Sequence, residues 1–98
     1  MTTTDLIRER LASLTPDALE VFDESHEHAG HAGAKDGGGH YQLVIVSREF
    51  TGKPAVARHR LVYQALSDLM PKRIHALAIR AYTPEEFGTF SQGLNAEV

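Results

Sequence analysis

The chain has 98 residues, 42% of them hydrophobic and 23% charged, which is the composition of one small globular domain. It contains no cysteine, which excludes a disulfide framework and a thiol nucleophile. Its net charge of −3 argues against a general nucleic-acid binder, because such proteins are usually basic. No apolar run approaches the roughly 18 residues that cross a bilayer, and the N-terminus lacks the pattern of a secretory signal. We therefore expect a cytoplasmic protein that does not enter the membrane.

The first half of the chain predicts a helix and two strands. Residues 5–14 place their apolar side chains on one helical face, with Thr4 or Asp5 as the N-cap. Residues 18–24 and, more clearly, the β-branched residues 41–47 are predicted strands. The segment between them, residues 26–39, is too rich in glycine for regular structure and contains three histidines. A loop of this length in so small a domain is typical of a functional segment.

The second half predicts helix, strand and helix. The pattern from residue 55 to residue 70 is helical, as one helix or as two with a break near His59, and Pro71 ends it. Residues 74–82 are the third predicted strand. Thr83-Pro84-Glu85-Glu86 is typical of a helix start, so the last helix is expected over residues 84–92, ended by Gly93.

The order of these elements predicts a fold class. Strands one and two follow each other through a loop and are expected to be antiparallel, while the helical segment permits a right-handed crossover to strand three. The expected fold is α+β, a small three-stranded mixed sheet with helices packed on it, in the order α-β-β-α-(α)-β-α. We expect a single domain over residues 1–98, with its core over about residues 5–92.

The histidines are the candidate metal ligands, because imidazole binds iron, zinc and copper and the chain has no thiolate. Taken alone, the loop histidines are better explained as solvated polar side chains. Adventitious capture of zinc or nickel, with no biological meaning, is a further alternative. His75 opens the third strand on the same expected face as Leu77 and Ile79. From the residues alone it is therefore explained as a histidine at the edge of the core.

Four blocks of the sequence occur in the order of a known family: DESHEHAGH, HYQLVIVSREFTGK, ARHRLVYQAL and IHALAIRAYTPEEF. With them the chain closely resembles the BolA family over roughly residues 6–90. The resemblance implies a fold related to the class II KH domain. It also implies a partnership with a monothiol glutaredoxin, in which the two proteins share a bridged 2Fe–2S cluster in iron–sulfur maturation or iron regulation. Bacterial members of the family imply a second role, as DNA-binding transcriptional regulators of stress response and cell shape.

The resemblance also implies a ligand set. In the family one ligand comes from the loop between the first two strands and the other is the histidine that opens the third strand. The latter matches His75, and the loop ligand matches His28, with His26 and His31 as alternates. The partner would supply its own cysteine and glutathione, so no cofactor is expected in the isolated chain. Gly-Gly-Gly-His-Tyr stands where the family usually has a Glu-Ser-His-Phe type sequence; His40 is retained there and is predicted to be structural.

A local basic surface is predicted although the net charge of the chain is negative. Its members lie around the turn before the central helix, in the first part of that helix and after its end, and could contact phosphates or an acidic partner: Lys53, Arg58, Arg60, Lys72 and Arg73. The only GxxG, Gly30 to Gly33, lies in the strand–strand loop, so a KH-type clamp between two helices is not expected. No nucleotide-binding loop is present. We therefore expect a non-enzymatic adaptor, with a DNA-binding regulator as the alternative.

Overall fold

The computed structural model describes residues 1–25 and 39–88. Helix α1 spans Thr3–Leu11, and a 3-10 turn, Ala12–Leu14, follows it. Strand β1 spans Ala18–Asp23, strand β2 spans Gly39–Val46, helix α2 spans Ala55–Ala65 and strand β3 spans Ile74–Tyr82. Residues 84–88 are helical and are called α3. Shorter 3-10 turns, Arg48–Phe50 and Ser67–Leu69, flank α2.

The three strands form one sheet in the order β1-β2-β3. β1 and β2 are antiparallel, and β2 and β3 are parallel. The parallel pair requires the crossover that α2 provides. The predicted fold class, a small α+β fold with a three-stranded mixed sheet, is therefore confirmed.

One face of the sheet packs against the helices. Tyr41, Leu43 and Ile45 alternate along β2 as buried residues, as a half-buried strand requires. They meet one continuous apolar cluster, whose helical and turn members include Ile7, Leu11, Phe50, Val62 and Leu66, all of them fully buried. The alternate residues of β2 lie on the other face. No helix within the described residues has the length and apolar content that crossing a bilayer requires.

α1 begins earlier than its sequence pattern predicts. The Thr2 hydroxyl accepts a hydrogen bond from the Asp5 amide at 3.1 Å, and Asp5 Oδ2 accepts one from the Thr2 amide at 3.2 Å. This reciprocal capping box makes Thr2 the N-cap. The predicted cap at Thr4 or Asp5 is therefore wrong, because Asp5 is the partner of the cap residue Thr2. The hydrogen bonds from Thr2 lower the pKa of the Asp5 carboxyl group.

α2 is a single helix with no break near His59. The polar stretch around His59 leaves the backbone helical, because it includes residues that face outward, such as Arg60. The helix ends at Ala65, and Leu66 is its C-cap, with a φ of −102° and a ψ of 9° that depart from helical values. A 3-10 turn replaces the predicted last turn of the helix.

The start of α3 confirms the predicted cap. Thr83 Oγ1 accepts a hydrogen bond from the Glu86 amide at 3.2 Å, and Glu86 Oε1 accepts one from the Thr83 amide at 2.9 Å. The predicted end of this helix, at residue 92 before Gly93, lies outside the described residues.

Candidate functional site

The first ligand candidate, His75, lies at an irregularity in the sheet. Gly39 of β2 pairs with Ile74 of β3, but the next residue, His40, pairs with Ala76. His75 is therefore an extra residue on β3, which is the arrangement of a β-bulge. Bulges re-aim side chains and are common next to functional sites.

The bulge changes the face on which His75 lies. Ile74 is fully buried in the core, and Leu77 and Ile79 pack against the same core, whereas His75 is exposed. The expectation that His75 shares a face with Leu77 and Ile79 is therefore wrong. Strict alternation would have turned this imidazole toward the helices; the extra residue turns it toward solvent instead.

His75 contacts a second histidine on the adjacent strand. The ring centroids of His40 and His75 are 5.6 Å apart, with an angle of 50° between the ring planes. His40 is half-buried and lies on the face of β2 opposite to Tyr41 and Leu43. Sequence reasoning assigned His40 a structural role and did not connect it to His75. The missing signal was the register, because only the pairing of β2 with β3 brings these two residues side by side.

The two ends of the glycine-rich segment meet beside this histidine pair. Ser25 Oγ accepts a hydrogen bond from the His40 amide at 3.1 Å, and the Ser25 amide donates to Asp23 Oδ1 at 2.9 Å. The His40 carbonyl accepts from the Glu24 amide at 2.8 Å, and the Gly39 amide donates to the Arg73 carbonyl at 3.1 Å. These bonds hold residue 25 and residue 39 together at the end of the sheet where β2 and β3 begin. We call this set of contacts the clasp.

Gly39 is buried inside the clasp, and β2 begins there, two residues before its predicted start at residue 41. A methyl group on its Cα would lie 2.5 Å from Ser25 Oγ and 2.6 Å from Tyr41 Cε2. The close approach explains why glycine stands at this position.

The loop candidates His28, His26 and His31 lie outside the described residues, so the loop ligand stays a prediction. Among residues 1–25 and 39–88, no three histidine or acidic side chains are grouped to hold a metal ion. At this site the structure places one exposed imidazole, a second imidazole in contact with it and both ends of the segment that contains His26, His28 and His31. Such a donor set fits a cluster held jointly with a second protein, since an exposed imidazole on a sheet edge is open to a partner and is a suitable iron ligand.

The five predicted basic residues do not form one surface. Lys72 and Arg73 are exposed and directly precede β3, at the His75 end of the sheet. Lys53 is exposed and precedes α2, beside Arg58, whose Nη1 donates to the carbonyl of Ala81 near the far end of β3 at 3.1 Å. Residues 73 and 81 are about 26 Å apart along an extended strand.

Arg58 is engaged within the fold. Its guanidinium pairs with Glu86 through two hydrogen bonds, of 2.6 and 3.0 Å, and its Nε donates to the Lys53 carbonyl at 2.7 Å. Its side chain is 13% exposed. The Arg58 hydrogen bonds, with a further one from the Thr83 amide, lower the pKa of Glu86 to about 2. The charge of Arg58 is thus neutralised locally, while contact of the other four basic residues with DNA or a partner stays a prediction.

Comparisons with known proteins agree on one family. Residues 11–86 match the sequence profile of BolA, described as BolA-like protein. SufE-like protein 1, chloroplastic/mitochondrial, of Arabidopsis thaliana is 49% identical over 86 residues, which cover 82% of this chain and 23% of that protein. The DNA-binding transcriptional regulator BolA of Escherichia coli (strain K12) is 39% identical over 87 residues, 84% of this chain and 80% of that protein.

The solved structures give the same result. The BolA domain of SufE1 from Arabidopsis thaliana superposes on this chain with a TM-score of 0.76 and 46% sequence identity. The superposition covers 88% of this chain and 96% of that one. The chain thus spans most of the Escherichia coli relative but less than a quarter of the much longer SufE-like protein 1.

Proposed function

The chain belongs to the BolA family, and from that premise we propose that it is a non-enzymatic adaptor that binds a monothiol glutaredoxin and helps to ligate a bridged 2Fe–2S cluster. The observation that supports this most directly is the exposed imidazole of His75 beside the clasp. A ligand shared between two proteins has to be reachable from outside, and the bulge makes His75 reachable. Iron–sulfur maturation or iron regulation is the process that such an adaptor would serve.

The chain's own residues would do three things at this site. His75 would offer a neutral imidazole nitrogen as a ligand, and a loop histidine, His28 in the first instance, would offer a second. The clasp would bring the loop to His75 by fixing residues 25 and 39. Bound histidines would raise the reduction potential of a 2Fe–2S centre relative to an all-thiolate set.

The test is an anaerobic titration of the protein into a monothiol glutaredoxin homodimer that is loaded with its cluster, followed by visible absorption and circular dichroism. A new spectrum is expected with the wild type, and His75→Ala should abolish it. The matched control is His59→Ala, which removes a half-buried histidine on α2 that has no place in the proposed ligand set, and should leave the spectrum intact. An unchanged spectrum in His75→Ala would contradict the proposal.

The loop ligand is tested by three single variants, His26→Ala, His28→Ala and His31→Ala, in the same titration. We expect His28→Ala alone to alter the spectrum. If His26→Ala or His31→Ala alters it instead, the adaptor proposal holds and the assignment of the loop ligand moves to that residue.

A second function, DNA-binding regulation, is favoured by the printed name of the Escherichia coli relative and by the exposure of Lys53 and Arg60. Binding through these residues would be carried by phosphate contacts and would fall steeply with salt. Fluorescence anisotropy with duplex DNA over a range of salt tests it: Lys53→Ala and Arg60→Ala should each reduce the salt slope by about 1. No binding at physiological salt would rule this function out. The location of the protein is a separate question. We expect it to be cytoplasmic, and the names of the relatives do not test this, because they include a chloroplastic and mitochondrial protein.

A further inference from the structure

The contact between His40 and His75 has a consequence for how the exposed imidazole is held. We propose that His40 is a positioning residue, whose ring packs against the His75 ring and keeps it in the orientation that a partner-held cluster requires. This inference rests on the proposed adaptor function, but it concerns a residue to which that function gives no part.

His40 has the fixed backbone that positioning requires. Its amide donates to Ser25 Oγ at 3.1 Å, and its carbonyl accepts from the Glu24 amide at 2.8 Å. It lies on the central strand of the sheet, where its Cα is paired with that of Ala76 on β3. His40 is half-buried, whereas His75 is exposed. The ring of His40, whose backbone is fixed, therefore restricts the orientations open to the more exposed ring of His75.

The geometry of the pair suits this role. A centroid distance of 5.6 Å with a tilt of 50° falls within the range in which aromatic rings attract each other. An exposed side chain on a bulge would otherwise sample several rotamers, and each would direct the imidazole nitrogens elsewhere. Residues that orient a metal-binding histidine typically change metal affinity by about 10- to 100-fold when they are removed.

The surroundings also favour ring packing as the mechanism. The partner of His40 on β3 is Ala76, and the next pair on the same face of the sheet is Gln42 with Ala78. Small side chains on β3 leave room for the His40 ring over the strand. A shallow depression at this place is lined by Glu24, His40, Tyr41, Ala76, Leu77 and Ala78.

The test uses two substitutions at one position. His40→Ala removes the ring, and His40→Phe keeps a ring that has no ligating nitrogen. The matched control is Gln42→Ala, a half-buried residue two positions along on the same face of β2. In the glutaredoxin titration we expect His40→Ala to weaken cluster retention about 10-fold, and His40→Phe and Gln42→Ala to stay close to the wild type.

A second readout needs no partner. Nuclear magnetic resonance of the free protein should show one dominant side-chain rotamer for His75 and ring-to-ring contacts with residue 40. His40→Ala should make His75 average between rotamers, and His40→Phe should restore the single one. If His40→Ala fails to fold, the wild-type rotamer and the His40→Phe variant still decide the question, because averaging of His75 in the folded wild type would overturn the proposal.

The outcomes separate this inference from the proposed function. A His40→Phe variant that folds but loses the cluster as fully as His40→Ala would overturn positioning, since a nitrogen of His40 would then be the essential group. Retention of both the cluster and the single rotamer in His40→Ala would overturn it as well. If the wild type forms no shared cluster, the adaptor function fails, and the rotamer measurement still reports whether His40 orders His75.

Discussion

Gly39 is the residue of β2 whose backbone lies close to both the Ser25 hydroxyl and the Tyr41 ring. Because an added methyl group would overlap Ser25 Oγ and Tyr41 Cε2, we expect Gly39→Ala to lower the free energy of unfolding by about 1–3 kcal/mol, as overpacking does. Urea unfolding at equilibrium measures this. The control is Gly88→Ala, where nothing lies within 4 Å of the added methyl group and a residue in a helical segment gains from alanine. Equal stability of Gly39→Ala and the wild type would contradict the close approach.

Ser47 is the fully buried polar residue that joins the end of β2 to the turn after α1. Its hydroxyl donates to the Leu14 carbonyl at 2.6 Å and accepts from the Glu49 amide at 3.0 Å. Removal of the hydroxyl leaves these backbone groups without that partner, so Ser47→Ala should cost about 1–3 kcal/mol. Ser13→Ala removes an exposed hydroxyl that donates to the Arg10 carbonyl and should change the unfolding free energy by no more than about 0.5 kcal/mol. A similar loss of unfolding free energy in the two variants would show that the burial of the Ser47 hydroxyl adds no stability.

At the scale of elements, the Arg58–Glu86 pair joins α2 to the start of α3. Glu86→Gln removes the charge and keeps the capping box, because glutamine also suits that position. Since the folded-state pKa of Glu86 is lowered from 4.5 to about 2, the ionised form adds stability that is fully present above about pH 4.5 and is lost as the pH falls toward 2. We therefore expect Glu86→Gln to be less stable than the wild type at pH 7, with the difference shrinking between pH 4.5 and pH 2.

Thermal unfolding over this pH range measures the difference. The control is Glu85→Gln, the exposed neighbour of Glu86, which should follow the wild-type pH profile. A constant gap between Glu86→Gln and the wild type from pH 7 to pH 2 would mean that the ion pair contributes no stability.

The element order could be predicted from the sequence because it depends on local patterns. The β-branched run of β2, the bounds of β3 and the Thr83 cap are each decided by a few neighbouring residues, and the structure has all three. The predicted start of α1 is too late because Thr2 and Asp5 cap the helix as a pair. A search for a single cap residue selects Asp5 and misses Thr2. Of the two alternatives for the central segment, the single helix is correct, because polar residues on the outward side of a helix do not interrupt it.

The candidate site was less predictable for a tertiary reason. His75 was selected through its family resemblance, but its exposure depends on a bulge that only the pairing of β2 with β3 reveals. The contact of His40 with His75 likewise depends on the pairing of β2 with β3, which joins segments far apart in the chain. Arg58 looked like a surface charge because its partner, Glu86, is 28 residues away in the chain. Contacts between distant segments left no pattern in the sequence by which to find them.

At the scale of the whole molecule, the two proposed functions draw on opposite ends of the sheet. His75, the clasp, Lys72 and Arg73 lie where β2 and β3 begin. Lys53 lies beside the region where β3 ends, as the bonds of Arg58 to both Lys53 and Ala81 show. A partner that docks on His75 should therefore be sensitive to charge at the first end and insensitive to charge at the second.

Charge neutralisation at each end tests this separation. In the proposed complex, the carboxylates of a glutathione bound to the glutaredoxin would approach His75, so Lys72→Gln with Arg73→Gln should weaken the complex about 2- to 10-fold at low salt. Rim charges act mainly on the association rate and are screened by salt. Lys53→Gln with Arg60→Gln removes the same number of charges just before α2 and within it, and should leave the complex unchanged while it lowers any DNA affinity. Association kinetics at two salt concentrations distinguish the cases. Equal weakening by both double variants would mean that net charge alone attracts the partner, and the assignment of the docking end to His75 would fall.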